Sequence, residues 1–288
     1  MNITPRIPRW YKWENGTIIP CYEAPRNGKP GTKAYTLREA REDGALVSVT
    51  SVLSVIDKPQ LDDWRVTQAI SSALTLPRYP DEPLDSFADR VVIDMDAQTN
   101  KAAEFGVRIH DAIAEWLGNW ETGKGVWQRH LGVLDKAPDM TCPIDLSPYL
   151  NEFYLWAYNN IEEVHAVEKV VGHRSLGIAG RLDLDCTIRG VGKCIVDWKS
   201  QNVQYGKAMF YDGWDLQLAA YAMATEWMEN GPTAVFPDTH LMSVVIDSNA
   251  PGPIHTHLWE NPGVSWKVFQ STLDVWIHTK GRGYNPRS

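Results

Sequence analysis

The order of apolar patterns along the chain predicts an α/β fold, in which a mixed β-sheet is flanked by helices. Helical periodicity dominates the first half, three consecutive strands follow, and the last third alternates helix, two strands and helix. The 288 residues are 43% hydrophobic and 22% charged, which is typical of a soluble globular protein with a sizeable core. A compact α/β unit is therefore the expected architecture.

The chain is predicted to divide into a loop-rich and helical N-terminal elaboration at 1–93 and a compact core at 94–288. Residues 1–45 are rich in Pro, Gly and charged residues, with a hairpin turn predicted at Asn15-Gly16. Residues 75–93 are proline-rich and are expected to be irregular.

Two apolar segments of the elaboration are predicted to be ordered. Ser48–Ile56 is rich in β-branched residues, and Thr50 and Ser51 are candidate helix caps within it. Lys58–Leu74 has helical periodicity, and three of its residues are expected to face inward: Leu61, Trp64 and Ala69.

The core begins with a helix predicted from about Met95 to Leu117. His110 lies beside its apolar stripe, which is formed at helical spacing by Gly106, Ile109, Ile113 and Trp116. Ser147-Pro148 is a typical helix start and predicts a helix to about Asn160. The remaining predicted elements are the strands His165–Gly172, Gly177–Ile188, Gly192–Ser200, Thr239–Asp247 and Ile254–Trp259 and the helices Asp215–Glu229 and Val264–Thr279.

The net charge of −8 disfavours a protein that simply coats phosphates, but the charge is unevenly distributed. Residues 1–41 hold eight Lys/Arg and three Asp/Glu, and residues 261–288 hold four and one. Basic ends attract a polyanion, although solvated basic tails are an equally good interpretation. Three aromatic residues of the basic arm are candidates for stacking on unpaired bases: Trp10, Tyr11 and Trp13.

The cysteine spacing favours a reducing compartment, and the hydropathy of the chain favours neither secretion nor a membrane span. The four cysteines are Cys21, Cys142, Cys186 and Cys194, and none lies in a CxxC pair. Cys186 and Cys194, in the two arms of a predicted hairpin, are interpreted as core residues rather than as metal ligands, and a structural zinc or an iron–sulfur cluster would need more closely spaced cysteines. The first residues contain no apolar signal segment, and no uncharged apolar run is long enough to span a bilayer. A cytoplasmic protein without a membrane partner is expected.

The stretch "IVDWKS" carries the first chemical signal. Residues two apart in a strand share a face, so Asp197 and Lys199 project side by side, although an exposed ion pair is the alternative interpretation. A hairpin turn at Arg189–Gly192 brings Asp183 close to Asp197, and two crowded carboxylates are unfavourable without a cation. A hard divalent ion such as Mg²⁺ resolves this crowding. Asp185 lies on the same strand face as Asp183 and is kept as a reserve ligand.

The ordered set "GRLDLD…IVDWKS…QLAAYA" resembles the RecB-like branch of the PD-(D/E)XK nucleases. The resemblance implies a restriction-endonuclease-like mixed sheet and hydrolysis of phosphodiester bonds with Mg²⁺ or Mn²⁺. It implies Asp183 and Asp197 as catalytic, metal-binding acids, Lys199 as the catalytic lysine, and the backbone carbonyl of Trp198 as a further metal ligand. D-x-K alone is a weak signal, whereas the ordered set is specific.

Further motifs carry the same resemblance. "GVRIHDAIAEW" implies His110 as a metal ligand, and "AVEKVV" implies Glu168 as a further catalytic acid. The Q-x-x-x-Y signature gives Gln217 and Tyr221, which would contact the nucleic-acid backbone or buttress Lys199. Iron–sulfur members of the branch need four cysteines flanking the core, and the four cysteines here do not fit, so no iron–sulfur cluster is expected.

Three more residues are assigned to nucleic-acid binding. Arg181 is a candidate phosphate contact, with a surface salt bridge as an equally good interpretation. Thr50 and Ser51 lie in "SVTSVLS", which is similar to N-terminal segments of phage-encoded relatives. A phage origin would place the protein in the host cytoplasm, with recombination or replication proteins as partners.

The resemblance implies a metal-dependent exonuclease that acts on DNA ends. A structure- or sequence-specific endonuclease on the same fold remains the first alternative. A non-cleaving nucleic-acid-binding module and a hydrolase of another substrate, such as RNA, are the others. Oligomeric state, polarity and strand preference are left open by the sequence.

Overall fold

The computed structural model describes residues 8–22, 35–120 and 145–284 of the chain. These residues form a mixed α/β fold, as predicted, but with two five-stranded sheets where one was expected. Each sheet contains both parallel and antiparallel neighbours, and helices flank both. Within the described ranges, every helix is too short or too polar to cross a membrane.

The elements follow one another in alternating blocks of strands and helices. The strands are β1 (Trp10–Glu14), β2 (Thr17–Pro20), β3 (Leu46–Ser48), β4 (Ile161–Val167), β5 (Val170–His173), β6 (Ile178–Arg181), β7 (Leu184–Ile188), β8 (Gly192–Gln201), β9 (His240–Asp247) and β10 (His255–Leu258). The helices are α1 (Leu37–Glu42), α2 (Val49–Val52), α3 (Pro59–Thr75), α4 (Leu84–Gly118), α5 (Ser147–Asn160), α6 (Trp214–Asn230) and α7 (Pro262–Thr279). The first sheet has the order β2–β1–β3–β6–β5, and the second has the order β10–β9–β8–β7–β4.

A long antiparallel ribbon passes from one sheet into the other. β5 pairs with β6 in the first sheet, and β4 pairs with β7 in the second. The ribbon stays paired at the crossing, where the Glu168 amide donates to the Asp183 carbonyl and the Leu182 amide donates to the Lys169 carbonyl, each at 3.0 Å. The predicted strands 165–172 and 177–188 are therefore each divided in two, which is why one expected sheet becomes two.

The second sheet is covered by helices on both faces, and β8 alternates between them. Val196 and Trp198 pack into the core formed with α4 and α5, whereas Ile195 packs into the core formed with α6 and α7. Because strand side chains alternate with period two, Asp197 and Lys199 point to the α6 side. The sequence argument that these two residues share one face is confirmed.

Most helix predictions are confirmed, with two corrections in the elaboration. α4 already begins at Leu84, after Pro83, so only part of the predicted irregular stretch lies outside helices. Leu61 is exposed rather than inward because α3 packs chiefly against α4 and leaves its other sides open. Trp64 and Ala69 are half-buried.

The N-terminal strands confirm the predicted hairpin and correct two of the three stacking predictions. Asn15 and Gly16 have φ of 50° and 81°, as a two-residue primed turn requires. Trp10 and Tyr11 are buried in the strand core and are not free to stack on bases.

Ser48 caps α2 by accepting from the amide of Ser51 at 3.1 Å. Thr50 and Ser51, predicted as caps, instead lie inside that helix, because the chain leaves strand β3 two residues earlier than the apolar pattern suggests.

Close packing of α6 on the ribbon depends on Gly180, and this predicts a stability effect. A Cβ at position 180 would lie 2.5 Å from Cε1 of the buried Tyr221 ring. Gly180→Ala is expected to lower the free energy of unfolding by about 1–3 kcal/mol, because a packed aromatic ring cannot move aside freely. Urea unfolding measures this change.

Gly118 offers the matched control, because a Cβ there meets no atom within 4 Å. Gly118→Ala is expected to leave stability unchanged or to raise it by up to about 1 kcal/mol through helix propensity. Equal effects of the two substitutions would contradict the packing argument.

Candidate active site

A cavity of about 280 Å³ opens where the ribbon bends between the two sheets. It is lined by the bend itself, by the middle of α4, by the end of β8 and by the first turns of α6. Nine of the residues singled out from the sequence line it: Thr50, His110, Glu168, Arg181, Asp183, Asp197, Lys199, Gln217 and Tyr221.

Three of these residues form a potential metal-binding cluster. One ligand atom each from His110, Glu168 and Asp183 lies within 4.8 Å of the other two. Nδ1 of His110 is 3.7 Å from Oδ2 of Asp183. α4 supplies the imidazole and the two crossings of the ribbon supply the carboxylates, so residues 73 positions apart in the chain converge only through the fold.

Asp183 is buried and held by the backbone. Its Oδ2 accepts a hydrogen bond from the Trp198 amide at 3.1 Å, across the β7–β8 hairpin. Burial raises the pKa of Asp183 well above its ordinary value, and the neighbouring charge of Asp197 raises it further. The charge of Lys199 opposes this shift without cancelling it. The folded protein therefore disfavours the ionised form of Asp183, relative to the unfolded chain.

Asp197 and Lys199 form a close ion pair beside this cluster. Oδ2 of Asp197 is 2.6 Å from Nζ of Lys199, and its Oδ1 accepts from the side-chain amide of Gln217 at 3.0 Å. Burial by itself lowers the pKa of Lys199, but the charges of Asp197 and Asp183 outweigh it, so the pKa is raised. Lys199 is thus a cation in this site.

Gln217 and Tyr221 support Asp197 from α6. The Gln217 amide also donates to the Tyr221 hydroxyl at 3.3 Å, and the Tyr221 ring packs over Gly180. Burial raises the pKa of Tyr221 well above its ordinary value, and the charge of Asp197 adds to the shift. The Q-x-x-x-Y pair therefore orients the acid that binds Lys199.

Glu168 is placed in the cluster by an unusual backbone conformation. Its φ of 51° lies in the left-handed region, which costs about 1–3 kcal/mol for a residue with a side chain. Its Oε2 is 2.7 Å from Nε of Arg181, so the guanidinium holds the carboxylate in place. The salt bridge that was the alternative interpretation for Arg181 is thus present.

Trp198 contributes packing as well as its amide. Its indole is completely buried and lies against His110 and Phe153, with ring centroids 5.8 Å and 5.9 Å away. This contact fixes the imidazole of His110 on the face of α4 that meets the end of β8.

Three residues assigned from the sequence to metal or nucleic-acid binding do not line the cavity: Trp198, Asp185 and Ser51. Asp185 is buried opposite Ile195 with its Oδ2 4.0 Å from Nζ of Lys193, so the reserve-ligand interpretation is wrong for this cluster. Burial raises the pKa of Asp185. Ser51 does not line the cavity, because its hydroxyl is turned to Ser48.

Gly106 is a site residue whose role the sequence argument missed. A Cβ there would lie 2.6 Å from Oγ of Ser200, so the glycine lets α4 approach the end of β8. Its position four residues before His110, on the same helical face, was the available signal.

The described cysteines are core residues. Cys186 and Cys194 face each other across β7 and β8, and Cys21 is buried with the N-terminal strands. Burial raises the pKa of Cys21 to about 11. Cys142 lies outside the described residues.

Comparison with known proteins leaves function to be inferred from the residues and their geometry. No protein-family model matches the chain, and no curated protein matches it.

The raised pKa of Asp183 predicts that its carboxylate destabilises the metal-free protein. Above pH ~4 the unfolded chain releases this proton while the folded protein retains it, so stability falls as pH rises. In EDTA at neutral pH, Asp183→Asn should therefore raise the free energy of unfolding by on the order of 1–2 kcal/mol. Urea unfolding across pH measures the difference, which should vanish near pH ~4.

Asp212 is exposed and provides the control for this experiment. Asp212→Asn should change stability little at any pH. An Asp183→Asn protein that is less stable than the wild type at neutral pH would contradict the electrostatic argument.

The cluster also predicts stabilisation by metal. An ion that binds only the folded state adds about 2.7 kcal/mol at a hundredfold excess over its Kd. Mn²⁺ should therefore raise the Tm of the wild type, and His110→Ala should lose most of this rise. His278→Ala, at an exposed histidine near the end of α7, should keep it. Equal Mn²⁺ shifts in both variants would exclude His110 as a ligand.

Proposed function

We propose that this protein is a divalent-metal-dependent deoxyribonuclease of the PD-(D/E)XK type. The observation that carries the proposal is the convergence of His110, Glu168 and Asp183 within one cavity, beside the Asp197–Lys199 pair. An imidazole, three carboxylates and a lysine at one open site are the groups that metal-dependent phosphodiester hydrolysis uses.

The donor set fits Mg²⁺ or Mn²⁺. The carboxylates of Glu168 and Asp183 supply the oxygen ligands that suit both ions. Burial raises the pKa of Asp183 and the charge of Asp197 raises it further, so a cation beside this carboxyl would favour its ionised form. When bound, such an ion supplies Lewis acidity that lowers the pKa of a water and stabilises negative charge on a phosphate. The Trp198 carbonyl remains a proposed ligand from the resemblance.

The remaining residues position charge around the scissile phosphate. Lys199 lines the cavity and presents its ammonium where negative charge would grow on the phosphate oxygens. Asp197 anchors this ammonium, and Gln217 fixes the rotation of the Asp197 carboxylate. Arg181 holds Glu168 in the cluster. Each group is thus oriented before substrate arrives.

The arrangement of the second sheet supports a restriction-endonuclease-like core. β4, β7 and β8 are antiparallel neighbours, α6 follows β8, and β9 then adds parallel to β8. DNA as substrate and action from its ends are proposed from the sequence resemblance. The same site would serve an endonuclease, so substrates with and without ends must be compared.

Removal of the lysine ammonium should abolish cleavage while the fold persists. Lys199→Ala is expected to reduce the rate of DNA hydrolysis in Mg²⁺ or Mn²⁺ by at least about 10²–10³-fold, because charge on the phosphate loses its stabilising partner. Asp197→Asn should have a similar effect. Gel assays on end-labelled DNA, with EDTA as a blank, measure the rates.

Lys193→Ala is the matched control, because Lys193 lies on the same face of β8 but outside the cavity. It should cleave like the wild type. Full activity in a folded Lys199→Ala protein would overturn the assignment of the lysine.

A side-by-side assay separates an exonuclease from an endonuclease. Its substrates are linear single-stranded DNA, linear duplex and closed circular DNA. Loss of the linear substrates with intact circles establishes an exonuclease, and the labelled end gives its polarity. Cutting of circles establishes the endonuclease instead. Metal-independent cutting, or no cutting of any DNA, would contradict the proposed function.

A further inference from the structure

The connection that leaves β8 folds into a small hairpin, here called the tip hairpin (202–209). Gln204 and Lys207 form an antiparallel bridge, with the Lys207 amide donating to the Gln204 carbonyl at 3.1 Å. Tyr205 and Gly206 between them have φ of 53° and 70°, as a primed two-residue turn requires. Asn or Gly is usual at the first of these positions, and here it is a tyrosine.

The base of the tip hairpin is fixed to the sheet. The side chain of Gln201 accepts from the amide of Met209 at 2.8 Å and donates to its carbonyl at 3.1 Å. The amide of Val203 donates to Asp247 on β9 at 3.2 Å, and the Val203 side chain is buried. Gln201 and Val203 therefore fix the base of the tip hairpin, and the turn at Tyr205 and Gly206 projects beyond them.

The ring at the end of this turn is almost entirely in solvent. Tyr205 is 98% exposed, so burial within the chain offsets neither its left-handed backbone nor its apolar surface. Conformations of this kind are energetically unfavourable for residues with a side chain and concentrate at functional sites. The aromatic residues of the basic arm, Trp10 and Tyr11, are buried and do not present such a ring.

Three aromatic rings follow the tip hairpin in the chain, and one of them contacts Lys199. Nζ of Lys199 is 5.8 Å from the Trp214 ring, and this ring meets Tyr211 and Phe210 at 5.3 Å and 6.2 Å. All three rings are partly exposed. Tyr205 is six residues beyond Lys199, which is at most ~20 Å of extended chain, or roughly six nucleotides at 3.4 Å per step.

We propose that the tip hairpin binds single-stranded DNA, with Tyr205 stacked on an unpaired base and Lys207 near a phosphate. An exposed ring beside an exposed cation is the combination that binds unpaired strands without regard to sequence. The bases of a blunt duplex are already stacked on one another and offer such a ring little surface. The choice of DNA as ligand rests on the proposed function, whereas the stacking surface rests on the hairpin itself.

The test is binding without cleavage, measured in EDTA. The probe is an oligothymidine of about 16 nucleotides with one 2-aminopurine, whose fluorescence is quenched by stacking. Tyr205→Ala should weaken binding by about 5- to 100-fold, which corresponds to 1–3 kcal/mol of stacking, and should lose the quenching. Tyr205→Phe keeps the ring and should bind like the wild type.

Two controls separate stacking from general effects. Tyr79→Ala removes another exposed tyrosine, between α3 and α4, and should leave the affinity unchanged. A blunt duplex of the same length should bind the wild type and Tyr205→Ala equally. Wild-type affinity of Tyr205→Ala for the single strand, or equal losses in the Tyr79 variant, would overturn the proposal.

The same proteins, assayed for cleavage in Mn²⁺, distinguish this inference from the proposed function. Binding that depends on Tyr205, without cleavage of any DNA, overturns the nuclease and supports the stacking surface. Metal-dependent cleavage with binding that is independent of Tyr205 overturns the stacking surface and leaves the nuclease standing.

Discussion

Asp183 and Asp197 hold their carboxyl groups side by side where only 8% and 3% of their surfaces remain exposed, with a single ammonium, that of Lys199, 2.6 Å from Asp197. Burying ion pairs seldom gains net stability, because desolvation offsets the attraction between the charges. Here one ammonium faces two buried acids; burial raises the pKa of Asp183, and the charge of Asp197 raises it further. Stability alone does not account for these residues, and the surrounding elements are arranged to tolerate them.

The bend in the ribbon places the buried acids beside a cavity. Because the strands change sheets at Glu168 and Asp183, these two acids lie at the crossing between the sheets, and both line the same cavity as Asp197 of β8. Two separate apolar cores, one on each side of β8, hold the sheets in position around it. Gly106 and Gly180 then let helices approach the cavity more closely than any larger residue would allow.

Patterns of short range were predictable, and the bend was not. Period two placed Asp197 and Lys199 on one face, and "RGVG" located the β7–β8 turn, because both depend on neighbouring residues alone. "AVEKVV" and "GRLDLD" contain no glycine or proline at the crossing itself, and their apolar residues continue through it. The crossing at Glu168 and Asp183 is set by partners far away in sequence, as is the contact between α4 and β8.

The cluster of His110, Glu168 and Asp183 and the tip hairpin each contain a residue with an unfavourable backbone conformation. Among the described residues, five that are not glycine have positive φ, and three of them are Asn15, Asp81 and Asn261, types that adopt this conformation readily. The other two are Glu168 and Tyr205, residue types for which this conformation is uncommon. A turn or crossing without further demands would accept glycine or asparagine at either position. Glu168 lines the cavity and the ring of Tyr205 is exposed to solvent, so the strain falls at the proposed active site and at the proposed stacking surface, the kind of position where such conformations concentrate.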